Sequence, residues 1–131
     1  MISIDEMQIM LDDIAGSFPP EFFEELNGGI ILLPEAKRHE KSRDNDLFIL
    51  GEYHRGGSMG RYISIYYGSF MRVYGYLGNS QLREKLNNTV RHEFRHHIES
   101  LAGERDLEII DSEYIADYLT GHDRGYKEFM E

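Results

Sequence analysis

Residues 79–103, NSQLREKLNNTVRHEFRHHIESLAG, decide the fold. Leu82, Leu86, Val90, Phe94, Ile98 and Leu101 recur in them at three- and four-residue spacing, the period of an α-helix with one apolar stripe. Asn79 or Ser80 can begin this helix, and Gly103 is placed to end it, so the spacing predicts one long helix reaching about Ala102. Within it lies His92-Glu93-Phe94-Arg95-His96, followed at once by His97, and His92 and His96 fall nearly opposite the stripe. A helix with chemistry on one side and a continuous apolar stripe on the other needs cover on both. That is the pattern of a helix lining a cleft, whereas histidines on an ordinary amphipathic helix would simply face water.

The flanking sequence supplies the cover. Upstream, Ser3 can cap a first helix with Glu6 completing a capping box, and Ile4, Met7, Leu11 and Ile14 repeat at helical spacing. Gly16-Ser17-Phe18-Pro19-Pro20 ends it, and Pro20 suits the first turn of a short second helix reaching Leu26. Asn27-Gly28-Gly29 stops that one, and Ile30 to Leu33 reads as a buried strand. Residues 34–46 read as an exposed loop. Leu47 to Leu50 resumes as a strand running towards Tyr53. The glycine-rich His54-Arg55-Gly56-Gly57-Ser58-Met59-Gly60 lacks the Gly-Lys-Ser/Thr ending of a phosphate loop and reads as a hairpin turn. A third strand follows over residues 62–67, with Ile63 and Ile65 on one side and Tyr62, Ser64 and Tyr66 on the other. Downstream of the long helix, Asp111 can cap a last helix with Ile110 and Ile115 as its staple, and residues 122–131 read as a weakly ordered tail.

Composition narrows the classes. The chain has 131 residues, a formal charge of −10 and no cysteine. Residues 1–131 are expected to form one domain, without disulfides, a thiolate metal site or a cysteine nucleophile. The negative charge argues against a nucleic-acid partner, because phosphate neutralisation needs clustered Lys and Arg. No apolar run is long enough for a bilayer span, and MISIDEMQIML has no basic start, so the expected setting is soluble and cytoplasmic, without membrane. Acids crowd both ends: residues 1–26 hold seven acids and no base, and residues 104–131 nine acids and three bases.

The motif on the long helix carries a definite chemistry. His92 and His96, four apart, stack on one face about one turn from each other and can grip one metal ion. Glu93 sits about 100° around the helix, where its carboxylate can reach a water beside the metal without ligating it. With no thiolate available, the ion would be zinc held by imidazole and carboxylate, the donor set of a catalytic site. Such a site usually needs a third protein ligand. Glu113 and Asp117 lie four apart at the start of the last helix: Glu113 can be that ligand while Asp117 accepts the free ring N–H of a histidine. Asp106 is the alternative, if the chain turns at Gly103. Gly103 lies about 10 Å beyond His96 along the axis, and three residues barely cover the way back, which favours Glu113.

These residues also carry a family resemblance. The chain resembles the small bacterial "possible zincin" metallopeptidase family over nearly its whole length, through ISIDEMQIMLDDI, SFPPEFFEEL, LFILGEYHRG, RYISIYYGSF and VRHEFRHHIESLAG. HExxH followed directly by a further His is the most telling part. The family pattern resembles HExxHHxGxxD, with the Asp a candidate third ligand. Here the glycine and aspartate come one helical turn late, as Gly103 and Asp106, and Glu113-x-x-x-Asp117 resembles instead the ExxxD element of thermolysin-like zincins. Arg95 is a second departure, since zincins generally carry an uncharged residue there; it can pair with Glu99 or turn outward.

The expectation is therefore an α+β, zincin-like domain. It has N-terminal helices, a small and partly antiparallel sheet from residues 30–67, a long HExxH active-site helix and a C-terminal helix. The resemblance implies a zinc metallopeptidase, a hydrolase in which His92, His96 and Glu113 (or Asp106) hold one zinc ion. Glu93 is the general base and Asp117 supports a ligand. A peptide or protein substrate would pair with the strand over residues 62–67 if that strand lies at the sheet edge. His54, His97 and several tyrosines are candidates to stabilise the oxyanion. The alternative is a zincin-fold metal-binding or protein-interaction module without useful turnover, using Phe70, Tyr74 and Tyr76 as a partner surface.

Overall fold

A computed structural model describes residues 1–40 and 47–104. Its elements run α1 (Ile4–Gly16), a 3₁₀ turn (Pro20–Phe23), β1 (Gly29–Leu33), β2 (Lys37–Arg38), β3 (Phe48–Ile49), β4 (Gly51–His54), β5 (Tyr62–Tyr66), α2 (Tyr67–Tyr74) and α3 (Asn79–Glu104). The arrangement is α+β, with three helices and a small mixed sheet among the described residues. The expected helix from residue 111, the tail, and the acids Asp106, Glu113 and Asp117 lie outside the described residues.

The first helix forms as its sequence dictates. Ser3 Oγ accepts the Glu6 backbone N–H at 3.1 Å, and the Glu6 carboxylate accepts the Ser3 N–H at 2.7 Å, so the capping box is complete. Met7, Leu11 and Ile14 are buried, as their spacing predicts. After Pro19 the chain makes only the short 3₁₀ turn, not a helix to Leu26. That turn still drives Phe22 fully into the core.

The sheet order is β1-β5-β4, with β5 parallel to β1 and antiparallel to β4. This corrects one expectation: the strand over residues 62–66 is central and β4 is an edge. The burial explains it. Ile63 and Ile65 are buried on one face, and Ser64 and Tyr66 on the other, as befits a strand covered on both sides. On either side of residues 41–46, Lys37–Arg38 and Phe48–Ile49 hold more order than the polarity of this stretch suggests, because β2 and β3 pair as a two-stranded antiparallel ribbon. β3 and β4 are separate strands interrupted at Leu50. β5 passes directly into α2, a helix hidden within what reads as the end of an aromatic strand.

The long helix starts at Asn79 and buries all six stripe residues. It continues through Gly103 to Glu104, so Gly103 does not end it and the chain does not turn there. Phe94, in the middle of the HExxH motif, meets Phe18, Phe22 and Phe23 with ring centroids 5.0, 5.3 and 5.1 Å away. These rings seat α3 on the N-terminal segment. Its other side leans on β4, where Gly51 leaves close clearance: a Cβ there would stand 3.0 Å from Thr89 Cγ2 and 3.1 Å from Ile65 Cδ1. The missing side chain lets the edge strand lie close alongside the motif helix. Phe70 is fully buried and Tyr74 packs against the core, which leaves Tyr76 as the exposed member of the aromatic trio. No helix among the described residues is long and apolar enough to cross a membrane.

Candidate metal centre

Helical spacing places His92 and His96 one turn apart on α3, and their rings do converge. The two Nε2 atoms lie 3.1 Å apart, with ring centroids at 4.6 Å and ring planes at 87°. Nitrogens about 2.05 Å from one tetrahedral zinc ion would be separated by about 3.3 Å. The two rings share a hydrogen bond at this distance, which is also close to the spacing of two ligands on one cation, and the donor type fits zinc. His92 and Glu93 are nearly fully buried, while the His96 side chain is one-third exposed. One member of the pair is fixed in the protein and the other opens outward. Glu99, one turn on, brings its carboxylate within 3.7 Å of His96 Nδ1. It is therefore His96 that Glu99 accompanies, at the distance of a loose ion pair.

Among the described residues no set of three or more His, Asp or Glu converges as a metal-holding group. The structure brings His92 and His96 together, with Glu93 buried next to His92 along the helix; Glu113, Asp106 and Asp117 lie outside the described residues.

His96 opens onto a cleft of about 490 Å³ bounded by the edge strand on one side and the second half of α3 on the other. Glu52, Tyr53, His54 and Arg55 line it from β4 and the hairpin, and Glu99 and Ser100 from the helix. The Gly56, Gly57 and Gly60 backbones have φ of 88°, 75° and 68°, the left-handed region that glycine adopts without strain. They form the turn that brings β4 back as β5.

Two histidines expected to compete for the oxyanion have different fates. His97 is fully buried. Its Nε2 lies 2.7 Å from the Glu24 carbonyl, which can only accept, so Nε2 carries the proton. Nδ1, 2.9 Å from the Tyr53 hydroxyl, then accepts from Tyr53, and Tyr53 in turn accepts from Arg61 at 2.9 Å. Both ring nitrogens are committed to holding β4 and the 3₁₀ region against α3. Burial keeps the His97 pKa below the usual histidine value, against the opposing pull of the Glu24 carbonyl. His97 is thus a scaffold residue and not a candidate for contact with substrate.

His54 does line the cleft, at the end of a chain of polar side chains. Lys37 Nζ and the Tyr66 hydroxyl both donate to Glu52 Oε1, at 2.7 and 2.6 Å. Ser64 Oγ donates to the Tyr66 oxygen at 3.2 Å, and His54 Nε2 lies 2.8 Å from Ser64 Oγ. Burial pushes the Glu52 carboxyl up, yet the bonds from Lys37 and Tyr66 outweigh it and hold the pKa below the ordinary value of 4.5. A carboxyl with a depressed folded pKa contributes stability above its unfolded value, and loses it as pH falls through the lowered one. Glu52→Gln is therefore expected to flatten the acid limb. Urea unfolding at pH 7 and pH 3.5 should show a smaller loss of stability in the variant than in the wild type; equal losses would contradict this role.

Sequence reasoning missed β4 as the edge and the Lys37–Glu52–Tyr66–Ser64–His54 chain. The tell-tale signal was the strand YISIY, apolar or small on both faces, which marks a central strand and leaves its neighbour at the edge.

Neither a protein-family model nor a curated protein matches the chain. Among solved structures, it is similar to the conserved hypothetical protein TTHA0227 of Thermus thermophilus. The two are 30% identical with a TM-score of 0.71, over 79% of this chain and 100% of that one. Identity at this level across the whole of the other protein means common descent as well as common shape, and the chain belongs to the family of TTHA0227.

Proposed function

We propose that the protein is a zincin-like zinc metallopeptidase, in which a peptide bond is hydrolysed in the cleft between β4 and α3. The observation that carries this reading is the 3.1 Å approach of the His92 and His96 Nε2 atoms beside the buried Glu93. The mixed sheet supports it too, since its antiparallel edge strand lies alongside the motif helix.

His92 and His96 would hold the ion, with Glu113 as third ligand or Asp106 in its place, and Asp117 steadying a histidine. Zinc, when bound, polarises a carbonyl and lowers the pKa of a nearby water to about 7. The protein's own part falls to Glu93, which accepts the proton of the attacking water and returns it to the leaving amine. His92 is held rigid by burial, and His96 faces the cleft where substrate enters. A peptide would lie along β4, whose outer edge is free of strand pairing among the described residues, and take its backbone hydrogen bonds. β5, central in the sheet, is not available for that pairing.

The test is hydrolysis of an unfolded protein such as casein. Activity present in the purified protein, abolished by a chelator and restored by one equivalent of zinc, is the expected result. A zinc-loaded protein that leaves casein and a broad peptide library intact would instead favour a metal-binding module without turnover.

A further inference from the structure

We propose that His54 is the residue that reads the substrate backbone in this cleft, its Nδ1 accepting a peptide N–H just beyond the end of β4. The inference rests on the hydrolase reading and deepens it by naming a contact that selects substrates.

The Glu52 carboxylate, which takes the Tyr66 hydroxyl proton at 2.6 Å, can only accept, so Tyr66 must donate to it. The Tyr66 oxygen then accepts from Ser64 Oγ at 3.2 Å, and Ser64, its proton committed, accepts from His54 at 2.8 Å. The polarity of the whole chain is set at one end by the Glu52 charge and its Lys37 partner. At the other end it fixes His54 as the Nε2–H tautomer. The ring is immobilised a second way, stacked on its cross-strand partner Tyr62 with centroids 4.3 Å apart and planes 13° from parallel.

With Nε2 and one face occupied, Nδ1 is the remaining polar atom of a ring that lines the same cleft as His96. It makes no hydrogen bond among the described residues. Burial holds the ring below the ordinary histidine pKa despite Glu52 3.7 Å away, which keeps Nδ1 a bare acceptor at neutral pH. A neutral acceptor placed where an edge strand ends is complementary to a donor, and a peptide aligned on β4 offers its next amide N–H. The requirement is a selective one. A site built to bond an N–H discriminates against a chain lacking it, so proline or an N-methylated residue at that position should be disfavoured.

The experiment uses zinc-loaded protein and a peptide spanning one site that it cleaves in casein, together with a series N-methylated at one backbone position at a time. His54→Phe keeps the stacking on Tyr62 and removes the acceptor. In the wild type, one N-methylation is expected to raise KM about tenfold with kcat nearly unchanged. His54→Phe should raise KM about tenfold on the parent peptide and be insensitive to that N-methylation, whereas His54→Asn, whose Oδ1 stands near the place of Nδ1, should regain most of the loss. A merely structural role for His54 would not abolish sensitivity to a single substrate N–H. Should His54→Phe fail to fold, Ser64→Ala is the second variant: it releases the tautomer lock and should blunt the same sensitivity. Wild-type KM in His54→Phe, or undiminished sensitivity to every N-methylation in the variants, overturns the inference. If Glu93→Gln abolishes cleavage while His54→Phe cleaves the whole series as the wild type does, only this inference falls. If the zinc-loaded wild type cleaves nothing, the hydrolase reading falls and takes the role of His54 with it.

Discussion

Glu93→Gln is expected to lower turnover of casein by about 10³-fold while leaving zinc binding and the folded structure in place. The expectation follows from where Glu93 sits. It is one residue from His92 on α3, rotated off the ligand face by the helical period, and almost wholly buried. Gln keeps the shape of the side chain but replaces one acceptor oxygen by a donor NH2 and cannot take a proton. A purely structural glutamate would tolerate the change at little cost to activity, whereas a base that relays the proton from water to amine would not. The measurement is kcat with zinc content determined on the same sample. Loss of turnover with full zinc occupancy supports the assignment, and turnover within a few-fold of wild type removes Glu93 from the chemistry.

Much of this fold was legible in the sequence because the relevant signals are local. The Ser3–Glu6 capping box and the Met7-Leu11-Ile14 stripe specify α1 within a dozen residues. The six-residue stripe of α3 spans several turns and tolerates no other period. What was not legible depends on partners distant in sequence. Whether YISIY is central or an edge depends on β1, 33 residues earlier in the register Gly29–Tyr62, lying parallel beside it. Gly103 carries the sequence mark of a helix end, but a glycine costs a helix interior only about 1 kcal/mol relative to Ala, and the chain stays helical through it. α2 was hidden because Tyr67, Phe70 and Tyr74 are common in strands; their burial against the core, and not their intrinsic preference, makes them helical.

The site divides along the same line. His92, Glu93 and His96 lie within five residues of one helix, so their arrangement is set by helical geometry and could be read directly. His54 and His97 are equally plain as residue types, yet their roles are decided by what faces them. His97 is enclosed by the Glu24 carbonyl and Tyr53, and His54 is held by Ser64 at the border of the cleft. Only the folded chain separates the scaffold histidine from the one that lines the cleft.

If His92 and His96 share a metal ion, zinc binding must depend on both. Two imidazole nitrogens 3.1 Å apart on adjacent turns, one ring buried and one facing the cleft, supply two of the ligands of a tetrahedral site. Removing both leaves at most the downstream carboxylate, which cannot hold zinc tightly alone. Zinc is to be titrated into the metal-free wild type and the His92→Ala/His96→Ala double variant, by calorimetry with a competing chelator. One tightly bound ion is expected in the wild type and none in the double variant. Equal zinc binding by the two proteins would contradict a shared ion.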